Sequence, residues 1–275
     1  KRTDAMTLKR RTFGHLALGA GMATGLPAGL RPALADDALE LLEAGTLSSA
    51  TEGTFPPFSY AEGSDLKGFE LSVIREIAAR LGLEHKPVVI AWDSILVGLM
   101  SDQYDMVSNP MGITEERQKS VYFCDAWVES GARIAVRADD AAATTDDLKG
   151  RSIGAIVAST FVPLAEELTD DVRSYSSDPE ALQDVINGNV DGAIVDGIGG
   201  AYAIKTGSLP LRLVDGFLDS YQMGWAVAKT RPNLVRAING ALAEMVSDGS
   251  FAQLAMDEIG IDPTPREPIR TLFES

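Results

Sequence analysis

The chain has 275 residues, of which 40 are acidic and 24 are basic, and its net charge is −16. A surface this acidic repels phosphate, so nucleic acids are excluded as partners. One cysteine and two histidines cannot form an internal disulfide or a zinc cluster of cysteine and histidine ligands. We therefore expect neither a metal site nor a cofactor.

Residues 1–35 have the pattern of a cleaved export signal. Three basic residues at 9–11 precede a mildly apolar run, and the segment ends on the small-x-small sequence 33–35. Residues 10–13, Arg-Arg-Thr-Phe, resemble a twin-arginine signal, and a general secretion signal with an accidental arginine pair is the alternative. No later segment has 18 unbroken apolar residues, so we expect a soluble protein exported to the periplasm.

Strand-like and helix-like patterns alternate along the rest of the chain. The first part contains, in chain order, strand 47–52, helix 69–81, strand 86–90, a helix capped by Asp93, strand 104–107, a short helix capped by Thr114, and the extended segment 133–136. The second part contains strand 152–157, helices 161–168 and 178–187, strand 190–195, helix 197–205, strand 225–228 and a long helix after Pro232.

This alternation predicts an α/β fold of open sheets with helices on both faces. Short irregular segments near 129–132 and 219–223 divide the chain into an outer, a middle and a second outer part. We therefore expect two lobes joined by two crossover strands, with lobe 1 formed by residues 36–131 and 222–275 and lobe 2 by residues 132–221. Ligands in such folds bind at the carboxyl ends of the strands.

Two charged residues are candidate ligand contacts. Arg117 lies in the first turn of the helix capped by Thr114, where the helix dipole disfavours a cation, so its guanidinium is a candidate for binding a carboxylate. The alternative is a solvated arginine paired with a nearby glutamate. Asp196 ends a buried strand and could accept hydrogen bonds from a ligand ammonium, or it could cap the next helix.

Polar and aromatic residues at strand ends complete the candidate site. Ser159 and Thr160 stand at a strand-to-helix turn, where they either bind an anion or only cap the helix. Glu52 ends the first strand and is either a second carboxylate in the cleft or a solvated turn residue. The nearby aromatic residues either enclose a ligand side chain or pack in the core: Phe55, Phe58 and Trp92.

Several ordered motifs resemble the periplasmic solute-binding proteins of amino-acid ABC importers, in the polar amino-acid family. The resemblance extends over about residues 40–260 and is carried by A-T-E-G-T-F-P-P-F-S-Y (50–60), L-K-G-F-E-L (66–71), W-D-S-I-L-V-G-L (92–99), Y-D-M-V (104–107), G-I-T-E-E-R (112–117), D-L-K-G-R-S-I-G (147–154) and D-G-A-I-V-D (191–196). It implies the type II clamp of these proteins, in which two lobes close on an amino acid.

The resemblance also implies roles for the charged and hydroxyl residues. Arg117 matches the arginine that grips the ligand α-carboxylate, and Asp196 matches the aspartate that holds the α-ammonium. Ser159 and Thr160 match donors of the second lobe. Glu52 matches an acidic position that meets the distal group of the ligand.

The resemblance assigns the ligand side chain to Phe55 and Trp92. This chain departs from the family pattern at Pro110, which lacks an amide donor, and at Gly112, where the family often has a hydroxyl. Asn109 is a candidate to contribute instead. An acid beside aromatic residues favours a cationic or amine-bearing side chain.

These features predict the substrate-binding component of an ABC importer, a monomer that delivers an amino acid or amino-acid derivative to a permease in the inner membrane. It is not expected to be an enzyme. The first alternative is a periplasmic enzyme that resembles cyclohexadienyl dehydratases, and such an enzyme needs a general acid facing the ligand, with Glu52, Glu166 or Asp196 as candidates. The second alternative is a soluble sensor.

Overall fold

The computed structural model describes residues 39–273. The predicted export signal at 1–35 therefore lies outside the described residues. The strands of the described part are β1 Thr46–Thr51, β2 Thr54–Phe55, β3 Ser59–Glu62, β4 Asp65–Lys67, β5 Glu84–Val89, β6 Met106–Gly112, β7 Val121–Phe123, β8 Val128–Arg137, β9 Ile153–Ile156, β10 Val172–Tyr175, β11 Gly192–Asp196, β12 Leu211–Leu213 and β13 Asp219–Ala228.

Helices alternate with these strands in the described part. The α-helices are α1 Phe69–Arg80, α2 Ile95–Met100, α3 Glu115–Gln118, α4 Phe161–Leu168, α5 Asp178–Asn187, α6 Gly197–Thr206, α7 Pro232–Asp248 and α8 Ser250–Glu258. Two 3₁₀ turns lie at Trp92–Ser94 and Thr145–Leu148. No helix within residues 39–273 is long and apolar enough to cross a membrane.

The strands form one large sheet and one small one. In the large sheet the order is β10-β9-β11-β8-β13-β6-β1-β5, with β12 beside β8 and β7 beside β13. β1 pairs in parallel with β5 and β6, and β9 pairs in parallel with β10 and β11, whereas β8 and β13 run antiparallel to each other. The predicted α/β fold class is confirmed. β2, β3 and β4 form the small antiparallel sheet.

Two sequence predictions were wrong in detail. The segments near 129–132 and 219–223 are not irregular, because they belong to β8 and β13 and pair with each other. Their loop-like composition hid a pairing between segments far apart in the chain, which local pattern does not reveal. Asp93 does not cap the following helix, because it lies inside a 3₁₀ turn and Ser94 is the N-cap of α2.

Apolar side chains pack on both faces of each end of the large sheet, which gives the fold two lobes. Around β1 and β6, Leu47 and Met106 belong to one hydrophobic core, and Ala50 and Val107 belong to another. Around β8 and β11, one core contains Ile134 and Ile194, and the other contains Ala135, Ala193 and Val195. Successive residues of a strand point to opposite faces, so each lobe is a sheet covered by helices on both sides. We call the part around β1 and β6 the first lobe and the part around β9 and β11 the second lobe.

A buried ion pair anchors the beginning of α7 to the first lobe. Asp105 is fully buried immediately before β6, and its carboxylate accepts hydrogen bonds from the backbone amides of Leu42 and Ser48, at 2.7 and 2.8 Å. The guanidinium of Arg231 donates to Asp105 Oδ1 at 2.9 Å and also contacts Asp102. Arg231 is only 4% exposed, so its removal leaves a buried carboxylate without its cation.

We expect Arg231→Ala to lower the free energy of unfolding by about 3–5 kcal/mol, because one member of a buried pair is lost. The matched control is Arg173→Ala, which removes an exposed pair with Asp171 and should leave stability unchanged within error. Urea denaturation of both variants measures the difference. An equal effect of the two substitutions would show that the buried pair contributes no more than a surface one.

Candidate functional site

A cavity lies where strand ends of the two lobes meet, and we call it the central cavity. It encloses about 460 Å³ of empty space, part of it open solvent, which is within the usual range of small-molecule sites. All nine predicted site residues line it: Glu52, Phe55, Trp92, Asn109, Gly112, Arg117, Ser159, Thr160 and Asp196. Six further residues complete its lining: Pro110, Ile156, Phe161, Asp178, Tyr221 and Met223.

Arg117 enters the central cavity from the first turn of α3. Thr114 caps this short helix by accepting the backbone amide of Arg117 at 3.2 Å. The guanidinium donates to the carbonyl of Gly112 at 2.9 Å and to that of Ala158 at 3.4 Å, and its Cζ atom lies 5.5 Å from the centroid of the Trp92 ring. Gly112 belongs to the first lobe and Ala158 to the second, so this side chain contacts both lobes.

The charge of Arg117 is left without a carboxylate partner within the described part of the chain. The alternative of a solvated arginine paired with a nearby glutamate was wrong, because Glu116 pairs with Lys119 on the exposed side of the helix. Burial lowers the pKa of Arg117 to about 10, so the guanidinium remains charged at neutral pH. A half-buried guanidinium with donors to spare is suited to bind an anion.

Asp196 is a helix cap and a cavity residue at once. Its Oδ1 accepts the backbone amides of Ile198 and Gly199 at 2.9 and 2.8 Å, which caps α6 as one of the alternatives predicted. Its Oδ2 accepts the hydroxyl of Tyr221 at 2.8 Å. Burial raises the pKa of Asp196, and these hydrogen bonds oppose that rise. An ammonium group in the cavity would compensate the burial of this carboxylate.

Glu52 follows β1 and faces the cavity from the first lobe. Its backbone amide donates to Asn109 Oδ1 at 3.2 Å, so Asn109 helps to position the turn. Burial raises the pKa of Glu52 to about 7, and hydrogen bonds with Asn109 and Thr54 reduce this shift. The alternative of a solvated turn residue was therefore wrong.

The two hydroxyl residues of the second lobe differ in their availability. Ser159 Oγ donates to the carbonyl of Ile156 at 2.6 Å and accepts the amide of Phe161 at 3.1 Å, so its hydroxyl is used to shape the turn. Thr160 is the N-cap residue of α4 but makes no side-chain capping bond. Thr160 is thus the hydroxyl of this pair that remains able to bind a ligand.

The aromatic residues separate into wall and core. Phe55 lines the cavity, and its ring lies so close to the backbone of Gly199 that a Cβ atom there would approach the ring to 2.6 Å. Trp92 lines the cavity beside Arg117. Phe58 is fully buried in the core of the first lobe and does not line the cavity. A glycine at position 199 therefore permits close contact between the lobes.

Two functional candidates were missed in the sequence. Asp178 begins α5, and its aspartate–proline start was interpreted only as a helix signal. The loop before it follows β10, so Asp178 stands beyond the carboxyl end of a parallel strand, which is the signal that could have identified it. Tyr221 lay in the segment wrongly predicted to be irregular, so its orientation could not be inferred.

Comparison with known proteins identifies the family. Residues 47–258 match the family described as bacterial extracellular solute-binding proteins, family 3. The chain belongs to this family. It is 32% identical to the L-cystine-binding protein TcyJ of Escherichia coli (strain K12) over 266 residues, covering 94% of this chain and 100% of that protein. The predicted family membership is thus confirmed.

Solved structures support the same fold. An ancestral arginine-binding protein bound to arginine matches with a TM-score of 0.73 and 32% identity, covering 78% of this chain and 99% of the other. The ancestral amino acid-binding protein AncCDT-1, a precursor of cyclohexadienyl dehydratase, matches with a TM-score of 0.72 and 29% identity, covering 78% and 96% of the two chains.

A buried polar cluster lies beside the cavity in the first lobe. Glu70 is fully buried on α1, and its Oε2 lies 3.1 Å from Thr51 Oγ1, which in turn lies 2.6 Å from Ser59 Oγ. Burial raises the pKa of Glu70 to about 8, and the charge of Glu52 adds to the rise. Glu70 therefore keeps its proton at neutral pH, although an unfolded glutamate would lose it.

We expect Glu70 to make the free protein less stable as pH rises from about 5 to 8. Its folded-state pKa lies above the unfolded value, so within this window the folded state binds the proton more tightly, and that advantage disappears as pH rises. Glu70→Gln should flatten this dependence, measured as the urea midpoint at each pH. An unchanged slope would contradict a buried, protonated Glu70.

Proposed function

We propose that this chain is the substrate-binding component of an ABC importer and that it binds an amino acid or amino-acid derivative in the central cavity. The observation that carries the proposal is that two opposite charges line the cavity, with Arg117 on the first lobe and Asp196 on the second. An α-amino acid carries a carboxylate and an ammonium on the same carbon atom, and the two charges of the cavity are complementary to them. The cystine and arginine ligands named for the relatives agree with this proposal.

Binding follows from the geometry of the two charged ends. The guanidinium of Arg117 would bind the α-carboxylate, and Thr160 at the start of α4 would add a donor from the second lobe. Asp196 would accept the α-ammonium, oriented by Tyr221. Phe55 and Trp92 would enclose the side chain, while Glu52 would meet its distal end. Asn109 and Gly112 would hold the turn and the carbonyl that position these groups.

Closure of the two lobes on the ligand would couple binding to delivery. We propose the predicted lobe boundaries, at 131/132 and 221/222, which the crossover strands β8 and β13 support. We also propose export by the segment at 1–35, a monomer in the periplasm, and a permease in the inner membrane as partner. A soluble sensor would use the same cavity and differ only in this partner.

We propose that the chain is a binder and not an enzyme. His85 does not line the cavity. Its Nε2 lies 2.8 Å from Ser49 Oγ, and burial lowers its pKa to about 4. Glu166 is exposed on α4 and does not line the cavity either. Among the described residues that line the cavity, the carboxylates and the phenol of Tyr221 are left as possible general acids. Incubation with prephenate or arogenate, followed by absorbance, should show no product, and turnover would overturn the binder proposal.

A thermal-shift screen over the amino acids and opines tests the proposed function. A ligand present at a thousand times its dissociation constant stabilises the folded state by about 4 kcal/mol, which raises the melting temperature by several degrees. Arg117→Ala should abolish the shift and preserve the fold, because it removes the guanidinium proposed to bind the ligand carboxylate.

The matched control for this prediction is Arg173→Ala, which removes an exposed arginine of the second lobe that does not line the cavity. It should shift with ligand as the unmodified protein does. A flat screen with the unmodified protein would contradict amino-acid binding, and an unchanged shift in Arg117→Ala would contradict the assigned role of the arginine.

A further inference from the structure

The charges that line the central cavity do not balance. Three carboxylates line it, from Glu52, Asp178 and Asp196, against the single guanidinium of Arg117 among the described residues. An amino acid bound through its carboxylate and ammonium is neutral at that end and uses Arg117 and Asp196. Two carboxylates, Glu52 and Asp178, are then left without a counter-charge at positions where burial raises the pKa of each.

Asp178 is the carboxylate that has no structural explanation. It lies at the beginning of α5, where a helix dipole favours an acid, and Glu180 in the same turn is an exposed example. Asp178 differs because its Oδ1 is buried and has no hydrogen-bond partner. The neighbouring N-cap residue, Ser177, also makes no side-chain capping bond. A buried carboxylate oxygen without a partner is costly, so an occupant of the cavity is the natural donor.

Glu52 and Asp178 reach the cavity from opposite lobes. Glu52 follows β1 in the first lobe, whereas Asp178 follows β10 in the second. The pKa of Asp178 is raised well above its usual value by burial, with the charges of Glu52 and Asp196 adding to the rise. Like charges brought together by closure repel each other, and a cation between them would convert the repulsion into attraction on both sides.

We propose that Asp178 and Glu52 together bind a second protonated nitrogen of the ligand and so select amino acids that carry one. This inference rests on the proposed function and names its substrate class. The shared chemistry is a distal ammonium or guanidinium, which offers three to five donors and can bridge two carboxylates. Its source is either a basic side chain, as in lysine or arginine, or the second amino group of a dimeric amino acid such as cystine.

Matched ligands test the proposal by calorimetric titration at neutral pH. L-Arginine, L-lysine and L-cystine carry a second protonated nitrogen, whereas L-citrulline, L-norleucine and L-glutamine are neutral at that end. We expect the tightest ligand to come from the first group and to bind at least about tenfold more tightly than L-citrulline, L-norleucine and L-glutamine. The comparison among arginine, lysine and cystine distinguishes the possible sources of the nitrogen.

The variant Asp178→Asn isolates the residue. It should weaken the tightest ligand about tenfold or more while changing the affinity for neutral amino acids by less than about threefold, since a lost buried charge contact costs more than 1.4 kcal/mol. The control is Glu180→Gln, which removes one negative charge from the same helix turn outside the cavity, and it should leave all affinities unchanged. Without ligand, the Asp178→Asn protein should melt no lower than the unmodified protein, because Oδ1 of Asp178 makes no hydrogen bond that stabilises the start of the helix.

Any of the following results would overturn the inference. A neutral or acidic amino acid as the tightest ligand would show that the two carboxylates do not select a cation. Equal weakening of all ligands by Asp178→Asn, with a lower melting temperature, would make Asp178 a structural residue. Binding that depends on Arg117 but not on Asp178 would overturn this inference alone, whereas no binding of any amino acid would overturn the proposed function as well.

Discussion

The central cavity is lined by two charged groups, Arg117 and Asp196, that have no partner of opposite charge among residues 39–273. Arg117 donates hydrogen bonds to two carbonyl oxygens, and Asp196 accepts hydrogen bonds from two backbone amides and the phenol of Tyr221. These hydrogen bonds do not neutralise either charge. Such an arrangement is unfavourable in a free protein and becomes favourable only when a ligand brings the complementary charges.

The fold holds these charges in position by the carboxyl ends of parallel strands. β1 ends at Glu52 in the first lobe, and β11 ends at Asp196 in the second. The paired strands β8 and β13 connect the two lobes, so the strand ends of both face one cavity. Phe55 against Gly199 and Arg117 against Ala158 are contacts across this cavity, and they show how little space separates the lobes. The residues proposed to bind the ligand therefore also make contacts between the lobes.

Much of this architecture could be predicted from the sequence, because strands and helices differ in the local spacing of their apolar residues. The alternation of strands and helices gave the fold class, and the ordered motifs gave the family. All nine candidate residues line one cavity, since strand ends and helix starts are visible in the chain. Their roles toward a ligand remain proposals.

What local pattern could not show is pairing and burial at a distance. The pairing of Asp219 with Ala132 joins segments almost ninety residues apart, so each segment on its own was mistaken for a loop. Asp178 looked like an ordinary helix start because its burial depends on the opposite lobe. Each of these misses concerns a contact that exists only in the folded chain.

The most direct test of the account is a crystal structure of the protein with its tightest amino-acid ligand. We expect one ligand in the central cavity, with its α-carboxylate on the guanidinium of Arg117 and its α-ammonium on the carboxylate of Asp196. A ligand bound outside this cavity, or bound within it without contact to either charged group, would contradict the account.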